Sequence, residues 1–150
     1  MRNAMSDAHN LNAIPDRAGR SWQIALWSAQ LLLALFFGMS GLSKNVMPVD
    51  ALVTMGLAYA KDIPYSLLRF IGIAELAGAI GIIVPALTRI KPVLTPLAAL
   101  GFATIQVLAI CFHTMRGEFA GAAPINLLLL GLSLFVVWGR LHKVPITARY

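Results

Sequence analysis

The sequence predicts an all-α fold, a transmembrane four-helix bundle with a short amphipathic helix between the first and second spans. Hydrophobic residues make up 59% of the 150-residue chain and charged residues only 12%. The charged share is about half of that usual in soluble domains, so lipid must cover most of the surface. The charged residues also border long uncharged stretches. Such stretches cross a bilayer as helices, because lipid offers backbone polar groups no hydrogen-bonding partner.

Three spans follow directly from uncharged stretches of 23, 24 and 21 residues, which comprise 21–43, 92–115 and 119–139. Each exceeds the roughly 20 residues that a helix needs to cross about 30 Å of hydrocarbon. A fourth stretch is equally apolar but carries two charged residues. The four predicted spans are 22–43, 67–87, 93–115 and 124–139. Pro124 suits the first turn of the last helix, where its missing N–H is not needed.

The second span differs from the other three in its charged residues. Arg69 lies near its start and Glu75 within it, while Pro85 lies close to its end, where a helix break has little effect. Small residues recur along this span and permit close helix contact, which predicts the most central position in the bundle. These residues are Gly72, Ala74, Gly78, Ala79 and Gly81.

The connection at 44–66 is too polar to span a membrane. From Pro48 onward its apolar residues recur at helical spacing, which predicts a short amphipathic helix on the outer surface. This helix is either a surface flap or a lid over a pocket between the spans. Residues 1–20 lack periodicity and predict a disordered tail. The membrane domain is then 21–142, and 143–150 form a second tail.

The distribution of Lys and Arg predicts the orientation. Eight of the 12 lie in the two tails and the second connection, and four lie on the other face, so both termini are predicted to be cytoplasmic. The net charge of +6 comes from residues scattered at helix ends, which argues against nucleic acid as a partner. The single cysteine, Cys111, excludes an intramolecular disulfide and is expected to be an inert core thiol. No metal site is predicted.

Polar residues within the spans are the candidates for function. With the directions of the helices assigned, Glu75 lies roughly 12 Å and Gln106 roughly 13 Å below the outer face. His113 shares a helix face with Gln106, since seven residues make about two turns. Two further polar groups at the outer end of the first helix, Ser40 and Lys44, share a face. Asn126 opens the fourth helix from the same side.

An ionisable group at the depth of Glu75 needs a partner in the bundle interior. Arg69 points away from it, because six residues turn a helix by about 240°. The partner is therefore expected from another helix, with Lys44, His113 and Arg116 as the candidates. Three interpretations stay open: a ligand or redox-carrier pocket around Glu75 and His113, an interhelical hydrogen-bond network, and a proton path.

Four segments of the chain resemble the DoxX-like family: 41–44, 71–81, 111–118 and 137–140. The central segment carries the pattern Gly-x-x-Glu-Leu-x-Gly-Ala, and the likeness extends over roughly residues 24–141. The resemblance implies a multi-pass, four-helix integral membrane protein of bacterial inner membranes. The family takes its name from a subunit of a thiosulfate:quinone oxidoreductase, and many relatives are described as oxidoreductases without a defined reaction.

Two hypotheses about function follow. In the first, the protein is a membrane subunit of a redox system that holds a quinone or another lipophilic ligand in the outer half of the bundle. The candidate site residues are Ser40, Lys44, Arg69, Glu75, Gln106, His113, Arg116 and Asn126. In the second, the protein assembles or stabilises a partner complex without catalysis. A transporter is disfavoured because the chain has no second repeat of four helices, although a homodimer would supply one. Neither the identity of the partner nor stand-alone catalysis is predicted.

Overall fold

The computed structural model describes residues 17–149 as an all-helical chain, without any strand in that range. Five α-helices follow one another: α1 Arg17–Val46, α2 Val49–Thr54, α3 Tyr65–Thr88, α4 Leu94–Met115 and α5 Phe119–Trp138. A 3₁₀ turn, Ala58–Lys61, follows α2, and a π-helical turn, Gly139–Lys143, extends α5. The four long helices are long and apolar enough to span a membrane, and the predicted fold class is confirmed.

Two helix boundaries differ from the predicted ones. Helix α1 begins at Arg17, so that 17–20 are helical, and the rest of the predicted tail, 1–16, lies outside the described residues. Helix α5 begins at Phe119 instead of at Pro124, which lies inside the helix. The reason is that the chain turns at Gly117, with φ 73°, and the Glu118 carbonyl then accepts the amides of Gly121 and Ala122.

The four long helices form a ring in which α1 packs against α3 and α5, and α4 packs against the same two helices. Phe37 of α1 and Phe102 of α4 stack across the centre, with their ring centroids 3.9 Å apart. The outward faces are apolar on all four helices, as in Leu32, Ile80, Leu108 and other large exposed side chains. A bundle whose outer surface is this apolar is suited to lipid rather than to water.

Glycines bring α3 into close contact with its neighbours, as predicted for the second span. A Cβ on Gly41 of α1 would lie 2.6 Å from the Gly72 carbonyl oxygen, so the two helices cross backbone to backbone. A Cβ on Gly78 would lie 2.5 Å from the Phe102 ring. Since α1 packs against Gly72 and α4 packs against Gly78, α3 could not carry larger residues at these two positions.

Residues 47–64, which we call the capping segment, pack over one end of the bundle. The predicted single amphipathic helix is broken, because the chain turns at Gly56, with φ 98°, between α2 and the 3₁₀ turn. Leu52 and Ala60 of its apolar face are nevertheless buried, since they pack with Leu68 of α3. Arg116 donates a 2.6 Å hydrogen bond to Asp62 and so links the segment to the α4–α5 connection.

The opposite end of the bundle, which we call the terminal end, contains the start of α1, the α3–α4 connection and residues 139–149. After the π-helical turn the chain folds back, and the Arg149 amide donates to the Arg89 carbonyl at 3.1 Å. The three tryptophans lie toward this end, where Trp22 packs on Trp138 with ring centroids 5.5 Å apart. Trp and Tyr are typical of membrane interfaces.

Candidate functional site

The most buried charged pair joins Lys44 of α1 to Glu75 of α3. Lys44 Nζ donates to both carboxylate oxygens, at 2.7 and 2.8 Å, and also to Ser40 Oγ at 2.7 Å. Both residues are almost inaccessible, at 3% and 4% exposed. Of the three candidate partners for Glu75, the structure therefore selects Lys44, and all three protons of its ammonium are used.

The glycine crossing positions this pair. Gly41 is three residues before Lys44, and Gly72 is three residues before Glu75, so the two charged residues lie about one turn from the point of closest approach. A Cβ on Gly72 would lie 2.9 Å from the Lys44 Cβ. Larger residues at the crossing would separate the helices and lengthen the contact between ammonium and carboxylate.

Tyr59 of the capping segment adds a phenol to this pair, which the sequence analysis did not anticipate. Burial raises the pKa of the Tyr59 phenol, and the charge of the nearby Lys44 ammonium opposes that shift. The Tyr59 ring also packs edge-on against His113, with centroids 5.9 Å apart. Its place in the apolar stripe of the capping segment was the available signal, because a tyrosine there brings a hydroxyl over the bundle.

Arg69 completes the end of α1 instead of pairing with Glu75, in agreement with the helical geometry. The carbonyl of Lys44 has no amide partner one turn later, because Pro48 lacks an N–H. Arg69 donates Nη1 to that carbonyl and Nη2 to the Tyr65 hydroxyl, with its guanidinium 4.4 Å from the Tyr65 ring centroid. A cation at a helix C-terminus is favourable because it faces the negative end of the dipole.

His113 and Arg116 contact Glu118 at the α4–α5 connection. The grouping of His113 with Glu75 stays a prediction, with the Tyr59 ring packed against His113. His113 Nδ1 lies 3.3 Å from Glu118 Oε2, and Arg116 donates two hydrogen bonds to the same carboxylate. The Arg116 guanidinium, with His113 acting in the same direction, holds the pKa of the Glu118 carboxyl below its ordinary value, against the effect of burial. The pKa of Arg116 is raised by Glu118 and Asp62.

Gln106 of α4 is 4% exposed, and its Oε1 has no hydrogen-bond partner within the described residues. Gly78 packs against Phe102, so the antiparallel helices α3 and α4 are in register there. Glu75 lies three residues and Gln106 four residues from that contact toward the capping segment, or about 4.5 and 6 Å. The structure therefore brings both to the same level, as predicted. Asn126 of α5 is also buried, at 9% exposed.

Two residues lie elsewhere than the sequence analysis predicted. Cys111 is exposed on the outside of α4, so the expected core thiol is wrong. Arg140, interpreted only as a topological charge, is buried at the terminal end, where its Nε donates to Gln30 Oε1 at 2.7 Å. The spacing of Gln23 and Gln30 was a usable signal, because residues seven apart share a helix face.

The chemistry available in the half of the bundle toward the capping segment is limited but defined. Lys44 lies within hydrogen-bonding distance of Glu75 and Ser40, and Tyr59 places a hydroxyl nearby. Gln106 offers one donor group and one acceptor group. Within residues 17–149, no three His, Cys, Asp or Glu side chains lie close enough together to hold a metal ion.

These features define a class: a small, four-helix membrane protein with a buried ion pair between its first two spans. The model of the DoxX-like family matches residues 28–136, and the chain therefore belongs to that family. No curated protein and no solved structure showed a significant match.

Proposed function

We propose that the protein is a membrane subunit of a redox system that binds a quinone or another lipophilic ligand in the half of the bundle toward the capping segment. The single observation that carries the proposal is the Gln106 carboxamide, which is buried with an unpartnered oxygen at the level of Glu75. A buried polar group without a partner is unfavourable by about 1–3 kcal/mol, and a polar ligand would remove that penalty.

A carboxamide suits both oxidation states of a quinone. Its oxygen accepts from the hydroxyl of the reduced form, and after rotation its NH₂ donates to the carbonyl of the oxidised form. The Lys44–Glu75 pair would form the polar wall of the site, with Tyr59 as the group through which the capping segment senses the ligand. The capping segment would then act as a lid.

The charge distribution supports the orientation that this proposal uses. Lys and Arg concentrate at the terminal end, which favours cytoplasmic termini in a bacterial inner membrane and places the ligand in the outer half. In this proposal a partner protein supplies electrons to the lipophilic carrier. A homodimer would present two such sites.

The test compares two variants of the same helix. Gln106→Leu removes the buried amide, while Thr104→Val removes an exposed hydroxyl that donates only to the Leu100 carbonyl. Bound quinones are extracted from the purified proteins for mass spectrometry, and binding of a short-chain quinone is titrated in detergent. We expect binding to weaken about tenfold in Gln106→Leu only. Equal binding by both variants would contradict the proposal. So would a wild-type protein that neither carries a quinone when purified nor binds the added one.

A second function is favoured by a different observation: all three Lys44 protons already have acceptors. A pair so satisfied suits a non-catalytic subunit whose polar interior fixes the packing of the helices and so stabilises a partner complex. In that case Gln106→Leu keeps or raises the thermal stability without affecting any ligand, and the purified membrane complex loses its partner only when Lys44 or Glu75 is changed.

A further inference from the structure

Arg140 is a buried cation whose hydrogen-bond partners are all neutral. It is 3% exposed, and its Nε and Nη1 donate to the side-chain oxygens of Gln30 and Gln23, at 2.7 and 2.9 Å. The Val144 carbonyl lies 3.5 Å from Nη1, and Nη2 has no partner within the described residues. The guanidinium also lies 5.6 Å from the centroid of the Trp27 ring.

No carboxylate of the described residues lies at this end of the molecule. The four acids between residues 17 and 149 are Asp50, Asp62, Glu75 and Glu118, and all belong to the capping segment or to the half of the bundle beneath it. A buried charge is strongly unfavourable unless an opposite charge compensates it. Two glutamines and a carbonyl orient the Arg140 guanidinium without neutralising it.

The space for a compensating anion lies beside Arg140. A cavity of about 370 Å³ is bordered by Arg140, Arg89, Gln23, Trp27 and Thr147, and a second of about 220 Å³ borders Arg140 from the α4 side. The larger volume falls at the lower end of the range for ligand pockets. Two arginines therefore face one cavity, with Gln23 and Thr147 as further polar groups and Trp27 as an apolar wall.

We propose that this cavity binds an anionic phosphate group, with Arg140 as the buried anchor and Arg89 at the entrance. A guanidinium donates charge-assisted hydrogen bonds to phosphate oxygens, and the unpartnered Nη2 of Arg140 remains for one such contact. The cavity lies at the terminal end, where the three tryptophans indicate a membrane interface. The phosphate can therefore come from an anionic phospholipid or from a soluble phosphate.

The experiment measures thermal stability of the full-length protein in detergent as phosphatidylglycerol, phosphatidylcholine or inorganic phosphate is added. We expect phosphatidylglycerol to raise Tm by several degrees and phosphatidylcholine to have less effect. Arg140→Gln and Arg89→Gln should each raise the half-saturating concentration of phosphatidylglycerol about tenfold. Arg20→Gln removes an exposed charge at the same end and should leave it unchanged. Arg89→Gln keeps the proposal testable if Arg140→Gln does not fold.

The added ligands distinguish the sources of the phosphate, and the variants show which results would contradict the proposal. An equal shift with inorganic phosphate identifies a soluble anion as the ligand, whereas a shift with phosphatidylglycerol alone identifies a lipid. Equal shifts in the wild type and in both arginine variants would overturn the proposal, as would equal losses in Arg20→Gln. A response that occurs only after Asp7→Asn/Asp16→Asn would also overturn it, because the chain's own acids would then be the partner of Arg140.

Discussion

Two cations in the bundle are equally buried, but only one of them contacts an opposite charge. Lys44 and Arg140 are both 3% exposed, but Lys44 contacts a carboxylate with two hydrogen bonds, and Arg140 contacts only neutral oxygens. The Lys44 ammonium has an acceptor for each of its protons, whereas Arg140 borders two cavities. Burial alone therefore does not distinguish a structural charge from a binding charge. The distinction depends on whether the counter-charge belongs to the chain.

Removal of Lys44 should have the largest effect, because it leaves Glu75 buried without its partner. We expect Lys44→Met to lower the free energy of unfolding by about 3 kcal/mol or more, seen as a lower Tm and a lower folded yield in detergent. Lys61→Met, at an exposed position of the capping segment, is the control. The double variant Lys44→Met/Glu75→Leu should recover much of the loss. A fully stable Lys44→Met would mean that the pair does not hold α1 to α3.

Gly72→Ala should have the next largest effect, because its Cβ would collide with Asn45 and Lys44 at the helix crossing. Overpacking of this kind is unfavourable by about 1–3 kcal/mol. Gly101→Ala is the matched control, since nothing lies within 4 Å of a Cβ there, and its higher helix propensity should make it neutral or slightly stabilising. The two Tm values, measured in the same detergent, test the crossing; equal values would contradict it.

Arg140→Gln should affect the stability of the ligand-free protein less than Lys44→Met does. Its partners are neutral amides and a carbonyl, so the loss is about 1 kcal/mol of hydrogen bonding, offset by the removal of an uncompensated charge. Chemical or thermal unfolding of delipidated protein measures it. A loss as large as that of Lys44→Met would show that Arg140 has a carboxylate partner within the chain.

A fall in pH should produce the smallest change in stability, confined to the end of the bundle under the capping segment. The pKa of Glu118 is lowered in the folded protein, so its contribution is fully present above the ordinary value of 4.5 and is lost as pH falls through the lower, folded value. Hydrogen exchange of the capping segment, corrected for the intrinsic pH dependence, should then increase as pH falls below the ordinary value of 4.5. Glu118→Gln should remove this dependence while the exchange at the terminal end stays unchanged in both proteins.

The spans could be predicted because charge and hydropathy act locally, whereas the two unanticipated side chains depend on how distant segments meet. The depth of Glu75 alone predicts a charged partner, and Lys44 was one of three candidates. Tyr59 reaches that pair only because Gly56 turns the chain back over the bundle. Arg140 lies between α1 and residues 144–149, which return to the α3–α4 connection, and no periodicity in the sequence indicates that return.

The bond between the Arg149 amide and the Arg89 carbonyl has a practical consequence for protein engineering. An affinity tag or fluorescent reporter placed close to Arg149 would disturb this contact and with it residues 145–147, which border the larger cavity.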